Sequence, residues 1–158
     1  ACLPDISLTG LPRSPSIRPA VSEPMMAGTA SLDLHAYVAA LNSQPRGEAR
    51  GTGAALRTAQ GRVLVGCGIR VKGGPESCAI RNAIAAALVE EGSELVIEAV
   101  VLVAVDAHGD GLPAVPCEGC IRWLLAFGSE VPVSYLHPRE GWSERHAGAM
   151  DPGHEALA

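Results

Sequence analysis

The chain has 158 residues, enough for one domain with a sizeable hydrophobic core. Hydrophobic residues make up 47% of the chain and aromatic residues only 3%, so the core is expected to be aliphatic. The net charge of −5 and the absence of a basic run argue against nucleic-acid binding. No apolar run reaches the roughly 18 residues that a membrane span needs, so no membrane partner is expected.

The first part of the chain predicts a flexible leader, a helix and a hairpin. Residues 1–27 are rich in proline and serine and have no sustained hydrophobic period, which is typical of a flexible segment. Segment 31–44 predicts a helix, with Ser31 as its N-cap. Its apolar residues at helical spacing are Leu34, Tyr37, Val38 and Leu41. Two apolar runs around the turn TAQGR predict a hairpin over 51–71.

The second part predicts alternating helices and strands. The alanine-rich segment 77–92 predicts a helix that ends at Gly92, and 94–105 predicts a buried central strand. A loop then leads to a helix over 117–128, and 131–137 is the last clear strand.

The order of these elements, α-β-β-α-β-α-β, indicates an α/β fold with helices packed on one mixed sheet. Strands that follow a helical crossover are expected to be parallel. We expect residues 28–137 to form the folded domain and residues 138–158, which are polar and dotted with proline and glycine, to be a peripheral tail.

Five cysteines occur in the chain, Cys2, Cys67, Cys78, Cys117 and Cys120. Their odd number and spacing favour reduced thiols in the cytoplasm rather than a secreted disulfide framework. Three of them stand at predicted helix starts, where the helix dipole lowers the pKa of a thiol. Three thiolates and one open position suit a catalytic zinc ion. The alternative is a packed core cysteine at Cys78 beside a CxxC redox pair.

Several motifs together resemble the small, zinc-dependent cytidine deaminase family. The stretch "SCAIRNAI" resembles the family's "CAERxAI", and "PCEGCIRWLLAFG" resembles "PCGxCRQxLxEF". The hairpin "GAALRTAQGRVLVGC" resembles the family's "VGAAL" and "GCN" segments. The resemblance spans roughly residues 30–136 and makes a CxxC redox protein the weakest of the interpretations.

The resemblance implies a three-layer α-β-α domain and one zinc ion held by Cys78, Cys117 and Cys120. Arg81 matches the family's arginine that tempers the negative charge of the thiolates. The family also implies a homo-oligomer, a tetramer or a dimer, in which a neighbouring chain can complete a site.

The chain departs from the family pattern at a position that the resemblance implies to be catalytic. The family has a glutamate where this chain has Ile80, and that glutamate transfers protons during deamination. General acid–base steps contribute about 10²–10⁴-fold each, and isoleucine cannot carry protons. Ordinary deamination is therefore in doubt, and Ala79 and Ile80 are interpreted as ligand-pocket residues.

Ligand recognition also departs from the family. Gly68 and Arg70 stand where the family has an asparagine and a glutamate that bind ribose hydroxyls, and Arg50 replaces a pocket aromatic residue. Two arginines favour an anionic small-molecule ligand, such as a phosphate or a carboxylate, and a nucleoside-like ligand stays open. The alternative is that both arginines are solvated surface charges.

Two glutamates are candidates for a substitute acid. Glu118 follows Cys117 directly, and Glu76 lies two residues before Cys78. Glu118 is the preferred candidate of the two. A purely structural role is the alternative for both glutamates, since a carboxylate in the first turn of a helix, such as Glu118, interacts favourably with the helix dipole.

Two functions follow from these observations and stay open. The first is a zinc-binding protein of deaminase ancestry that acts on a nucleoside or pyrimidine-like ligand through an altered pocket. The second is an inactive, zinc-stapled binding or assembly subunit.

Overall fold

The computed structural model describes residues 30–43, 50–71 and 76–150. The predicted leader, residues 1–27, lies outside these ranges. The described helices are α1 (Ala30–Asn42), α2 (Ala79–Glu91) and α3 (Glu118–Leu125). The strands are β1 (Arg50–Thr58), β2 (Val63–Cys67), β3 (Ile97–Asp106), β4 (Gly111–Leu112), β5 (Pro132–His137) and β6 (Gly141–His146). None of these helices is long and apolar enough to cross a lipid bilayer.

One mixed sheet organises the described residues. Its strand order is β2-β1-β3-β5-β6, and β4 pairs with β3 beside this path. β3 and β5 are parallel and are joined through α3, whereas the other pairs are antiparallel. The predicted mixed sheet, with a parallel pair across a helical crossover, is therefore confirmed.

Helices cover both faces of the sheet. Successive side chains of β1 point to opposite faces, so both faces present side chains that a helix can cover. On one face, a Cβ placed on Gly53 would overlap the backbone of α1 at Ala36 and Ala40. On the other face, a Cβ on Gly66 of β2 would overlap the backbone of α2 at Ala79 and Ala83. The absence of side chains at these glycines lets both helices lie directly on the strands, which gives the α-β-α layers expected from the resemblance.

The hydrophobic core has two parts, one on each side of the sheet. The smaller cluster, beneath α1, contains Leu32, Ala36, Ala55 and Val101. The larger cluster, beneath α2 and α3, includes Leu56, Ile84, Leu102, Ile121, Leu124 and Tyr135. As the composition predicts, both parts are mostly aliphatic.

Helix α1 buries a different face from the one expected. Ser31 is not its N-cap, because the helix already begins at Ala30. The buried side chains of the helix are Leu32, Ala36, Ala39 and Ala40. Leu34, Val38 and Leu41 are instead 60%, 47% and 38% exposed, because close packing on the sheet selects the small side chains.

The central strand starts later and the sheet extends further than predicted. A short 3-10 helix, Gly92–Glu94, follows α2, so β3 begins at Ile97 rather than at residue 94. The prediction that 131–137 is the last strand is wrong, since β6 pairs with β5 along its whole length. Ala147 and Met150 then pack into the larger core cluster. Residues 138–150 are thus part of the fold rather than peripheral, and 151–158 lie outside the described ranges.

Candidate metal centre

Cys78 stands at the start of α2. It is the N-cap residue, with extended backbone angles (φ −80, ψ 142), and its carbonyl accepts a hydrogen bond from Asn82 N–H at 3.1 Å. The side chain of Asn82 donates to the carbonyl of Cys67 at 2.7 Å and accepts from the hydroxyl of Ser77 at 2.6 Å. These contacts tie the first turn of α2 to the end of β2, which places the Cys78 thiol.

Cys117 and Cys120 stand at the start of α3. Cys117 is the N-cap residue (φ −72, ψ 160) after the buried Pro116, and its carbonyl accepts from Ile121 N–H at 3.0 Å. Cys120 lies in the first turn and is only 2% exposed. Spacing of three along a helix places both thiols on the same side of the helix start.

The three thiols form one cluster. The Sγ atoms of Cys78 and Cys117 are 3.6 Å apart, and those of Cys117 and Cys120 are 3.5 Å apart. All three lie within 4.8 Å of one another. A tetrahedral zinc ion with Zn–S bonds of about 2.3 Å needs sulfur atoms roughly 3.8 Å apart, so this donor set fits zinc. No other such group of His, Cys, Asp or Glu occurs within the described ranges.

Arg81 supplies the positive charge beside the cluster. Its Nη2 donates to Cys78 Sγ at 3.1 Å, one helical turn further along α2. This hydrogen bond, and then the charge of the Cys78 thiolate, raise the pKa of the Arg81 guanidinium. The role that the resemblance implies for Arg81 stays a prediction.

The thiols differ in their tendency to ionise. Burial is the largest influence on Cys117 and opposes its ionisation. Hydrogen bonds with the backbone and thiol of Cys120 and with the thiol of Cys78, together with the charge of Arg81, outweigh burial, so the pKa of the Cys117 thiol is lowered. For Cys120, burial and then the charges of Cys117 and Cys78 raise the thiol pKa. Cys117 is therefore more acidic than Cys120, and a bound cation would favour the ionised form of a cysteine ligand.

A cavity of about 220 Å³ opens over the cluster. Its wall contains all three cysteines together with Ala79 and Ile80. Ile80 is 1% exposed and belongs to the larger core cluster. The position where the resemblance implies a glutamate is therefore a buried, apolar part of the cavity wall.

The predicted ligand-pocket residues line this same cavity. Arg50, Gly68 and Arg70 are all part of its wall. A side chain on Gly68 is obstructed, because its Cβ would overlap the hydroxyl oxygen of Thr52. The hydroxyl of Thr52 therefore occupies the space beside Gly68.

Sequence reasoning missed three polar cavity residues, Ser43, Thr52 and Ser77. Thr52 N–H donates to the hydroxyl of Ser43 at 2.7 Å, and that hydroxyl donates to the carbonyl of Ala40 at 2.9 Å. Thr52 could have been found from strand alternation, since it lies two residues after Arg50 and thus on the same face of β1. Ser43 lies after α1, and no local pattern marks it.

The two candidate acids lie in different surroundings. Glu118 pairs with Arg122 on the exposed side of α3 and does not line the cavity. Glu76 lines the cavity and pairs with Arg70, with its Oε1 at 2.9 Å from Arg70 Nε. The surroundings of Glu118 favour the structural explanation given above.

The fold and the site together define an α-β-α domain with a cluster of three thiols at two helix starts that could hold a metal ion. Solved structures resemble it over most of their length. Cytidine deaminase from Mycobacterium tuberculosis is 30% identical, with a TM-score of 0.57 and matches covering 78% of this chain and 93% of that one. Cytidine deaminase from Burkholderia pseudomallei is 24% identical, with a TM-score of 0.61 and coverage of 78% and 94%.

A third similar structure, cytidine deaminase from Bacillus anthracis, is 19% identical, with a TM-score of 0.59 and coverage of 81% and 91%. The structures below 25% identity support the fold alone. No protein-family model and no curated protein sequence matches the chain. With the 30% identical relative matched over nearly its whole length, the chain belongs to the cytidine deaminase family. The predicted resemblance and fold class are confirmed.

Proposed function

We propose that this protein binds one zinc ion and a pyrimidine-like ligand in the cavity, and that it lacks the ordinary proton-transfer step of cytidine deamination. The three thiols would hold the metal, and Arg81 would balance the charge of the resulting anionic centre. Bound zinc supplies a Lewis acid at the inner end of the cavity.

The buried Ile80 supports the missing proton transfer most directly. Its side chain forms the cavity wall beside the thiols, where it excludes water and offers no group that can take up or release a proton. A loss of even one general acid–base step costs about 10²–10⁴-fold in rate. We therefore propose that this protein is a ligand-binding homologue, or an enzyme with a different reaction, rather than an ordinary cytidine deaminase.

A substitute acid is the alternative, and Glu76 is now the better candidate. Among the described residues, Glu76 is the one carboxylate in the cavity wall, whereas Glu118 faces Arg122. If the protein does deaminate a ligand, Glu76→Gln should remove the turnover and Glu118→Gln should leave it intact.

The deciding experiment measures zinc content and ammonia release with the same protein preparation. We expect about one zinc per chain and no ammonia from cytidine, deoxycytidine or their monophosphates, while cytidine or cytidine 5′-monophosphate binds in calorimetry. Rates typical of enzymes, about 1–10³ per second, would refute the missing step. Protein that binds no zinc would refute the metal centre.

A homo-oligomer is part of the proposal. Helix α1 and β2 expose the apolar side chains Leu34, Val38, Leu41 and Val65. Contact between copies of the chain would cover such a surface. Sedimentation should give a dimer or tetramer, and the double variant Leu34→Lys, Val38→Lys should shift it towards the monomer. A monomeric parent protein would refute this part.

We also propose a reducing, cytoplasmic environment. The four described cysteines are all free thiols. Metal binding by Cys78, Cys117 and Cys120 requires that they stay reduced.

A further inference from the structure

Two arginines and one glutamate stand together in the wall of the cavity, among groups that are otherwise neutral or belong to the metal centre. Arg50 and Arg70 carry two positive charges, and Glu76 carries one negative charge. These three side chains are exposed, unlike Ile80 and Cys120 in the inner wall. Among the described residues, the exposed part of the cavity wall thus carries more positive than negative charge.

The guanidinium of Arg50 is held at the cavity by the backbone. Its Nη2 donates to the carbonyl of Pro113 at 2.8 Å, across the gap between β1 and the segment that precedes α3. A guanidinium has five N–H donors in a planar fork, so this contact leaves donors for a ligand. Because the neutral carbonyl does not cancel its charge, Arg50 can also attract an anion.

Arg70 is held by an exchangeable partner. Its ion pair with Glu76 is open to solvent, with 49% and 63% of the two side chains exposed. Exposed ion pairs contribute little to stability and are screened by salt. A ligand oxyanion can therefore replace the Glu76 carboxylate on Arg70 at little cost.

The neutral polar groups complete the wall. Ser43, Thr52 and Ser77 offer hydroxyls along the cavity, and Gly68 leaves room only for the side chain of Thr52. These small groups can bind the middle of a ligand, but they cannot neutralise an arginine. A charged ligand group therefore belongs at the arginines.

We propose that Arg50 and Arg70 bind the phosphate of a nucleoside monophosphate, and that Glu76 competes with this phosphate for Arg70. The inference rests on the proposed function, since the base of the same ligand would lie towards the metal centre. Arginine forks match the geometry of phosphate oxygens, and such charged hydrogen bonds are stronger than neutral ones.

Calorimetry on the zinc-loaded protein tests this with three probes, cytidine, cytidine 5′-monophosphate and inorganic phosphate. We expect the monophosphate to bind at least about tenfold more tightly than cytidine at low salt. Raising the salt concentration should weaken the binding of the monophosphate and leave the binding of cytidine unchanged. Inorganic phosphate should compete with the monophosphate but not with cytidine.

Three variants give effects of opposite sign, which a purely structural role would not produce. Arg50→Gln and Arg70→Gln should each lower the affinity for the monophosphate about tenfold, with little change in the affinity for cytidine. Glu76→Gln should raise the affinity for the monophosphate severalfold, because the carboxylate that competes with the phosphate for Arg70 is removed. Arg62→Gln is the matched control, since Arg62 is an exposed arginine that pairs with Glu90 on another surface.

The outcomes separate this inference from the proposed function. Equal affinities for cytidine and its monophosphate, with no effect of either cavity arginine, would overturn the phosphate site and leave the proposed function standing. Binding of inorganic phosphate that depends on Arg50 and Arg70, without any binding of cytidine, would support the anion site and refute the pyrimidine ligand. No binding of any probe would refute both.

Discussion

Ile80 and Asp33 are two residues at which the structure can be tested directly. Ile80 stands where the predicted resemblance implies a proton carrier, and it is packed in the core and in the cavity wall. Asp33 is a carboxylate on α1, yet both of its oxygens are buried and have no hydrogen-bond partner among the described residues. Both positions allow direct tests.

Ile80→Glu should create ammonia release from cytidine or cytidine 5′-monophosphate. A carboxylate at this dry position holds its proton more readily than in water, which suits a group that must take up and return protons. We expect rates at least about 10²-fold above those of Ile80→Gln, which has the same size and no such proton. Equal rates in the two variants would place the defect in ligand binding, at Arg50, Gly68 and Arg70.

Asp33 should make the stability of the protein depend on pH. Burial raises the pKa of this carboxyl group to about 6, above the ordinary value of 3.8. The folded protein therefore holds this proton more tightly than the unfolded chain, so stability falls as pH rises from about 4 to 6. Because the side chain is only half-buried, solvent screening reduces this effect to roughly 1 kcal/mol.

Asp33→Asn should remove that dependence. Urea unfolding at pH 4.5 and pH 7 should show that the variant gains stability relative to the parent mainly at pH 7. Asp110→Asn, at an exposed carboxylate, is the control and should not change the difference. A parent protein whose stability changes with pH no differently from that of Asp33→Asn would contradict the argument.

At the scale of elements, close backbone packing positions the metal centre. Helix α2 carries Cys78 and Arg81 and lies on β2 at Gly66, where no side chain fits. The two backbones can approach this closely only because Gly66 has no Cβ. The hydrogen bonds of Asn82 then fix the position of the first turn of α2 relative to the end of β2.

Gly66→Ala should destabilise the fold by about 3 kcal/mol, because the obstructing atoms belong to the backbone of α2 and cannot rotate away. Urea unfolding measures the loss. Gly111→Ala is the matched control, since nothing lies within 4 Å of a Cβ at that position. Similar losses in the two variants would mean that strand propensity, rather than packing, is responsible.

At the scale of the whole molecule, the metal centre connects parts that are distant in sequence. Cys78 and Cys117 are 39 positions apart and belong to different helices on one face of the sheet. A metal held by both would fasten α2 to α3. Ligands that bind only the folded state stabilise it by mass action.

Removing zinc with a chelator should therefore lower the melting temperature, by roughly 10 °C. Cys78→Ser should lose this zinc dependence, while Cys67→Ser, at a thiol outside the cluster, should keep it. Differential scanning calorimetry with and without chelator measures the effect. A melting temperature of the parent protein that does not depend on zinc would contradict the proposal that the metal links α2 to α3.

Sequence reasoning was reliable wherever a signal is local. The helix over 77–92 and the hairpin over 51–71 follow from alanine content, alternation and turn residues, and both are confirmed within a few residues. The metal-ligand candidates were found because cysteines at helix starts have a distinctive spacing. Their roles, and those of the cavity residues, remain predictions.

Features that depend on contacts between elements were decided only by the tertiary structure. Which face of α1 is buried depends on the side chains that fit against the sheet, so three alanines and Leu32 are buried while Leu34 and Leu41 are exposed. β6 became a strand because β5 offered it an edge, although its sequence is polar. Glu76 and Thr52 line the cavity, and Glu118 does not, because the paths of neighbouring segments determine what a side chain meets. Local patterns fix conformation, whereas distances between remote residues arise only when the layers pack.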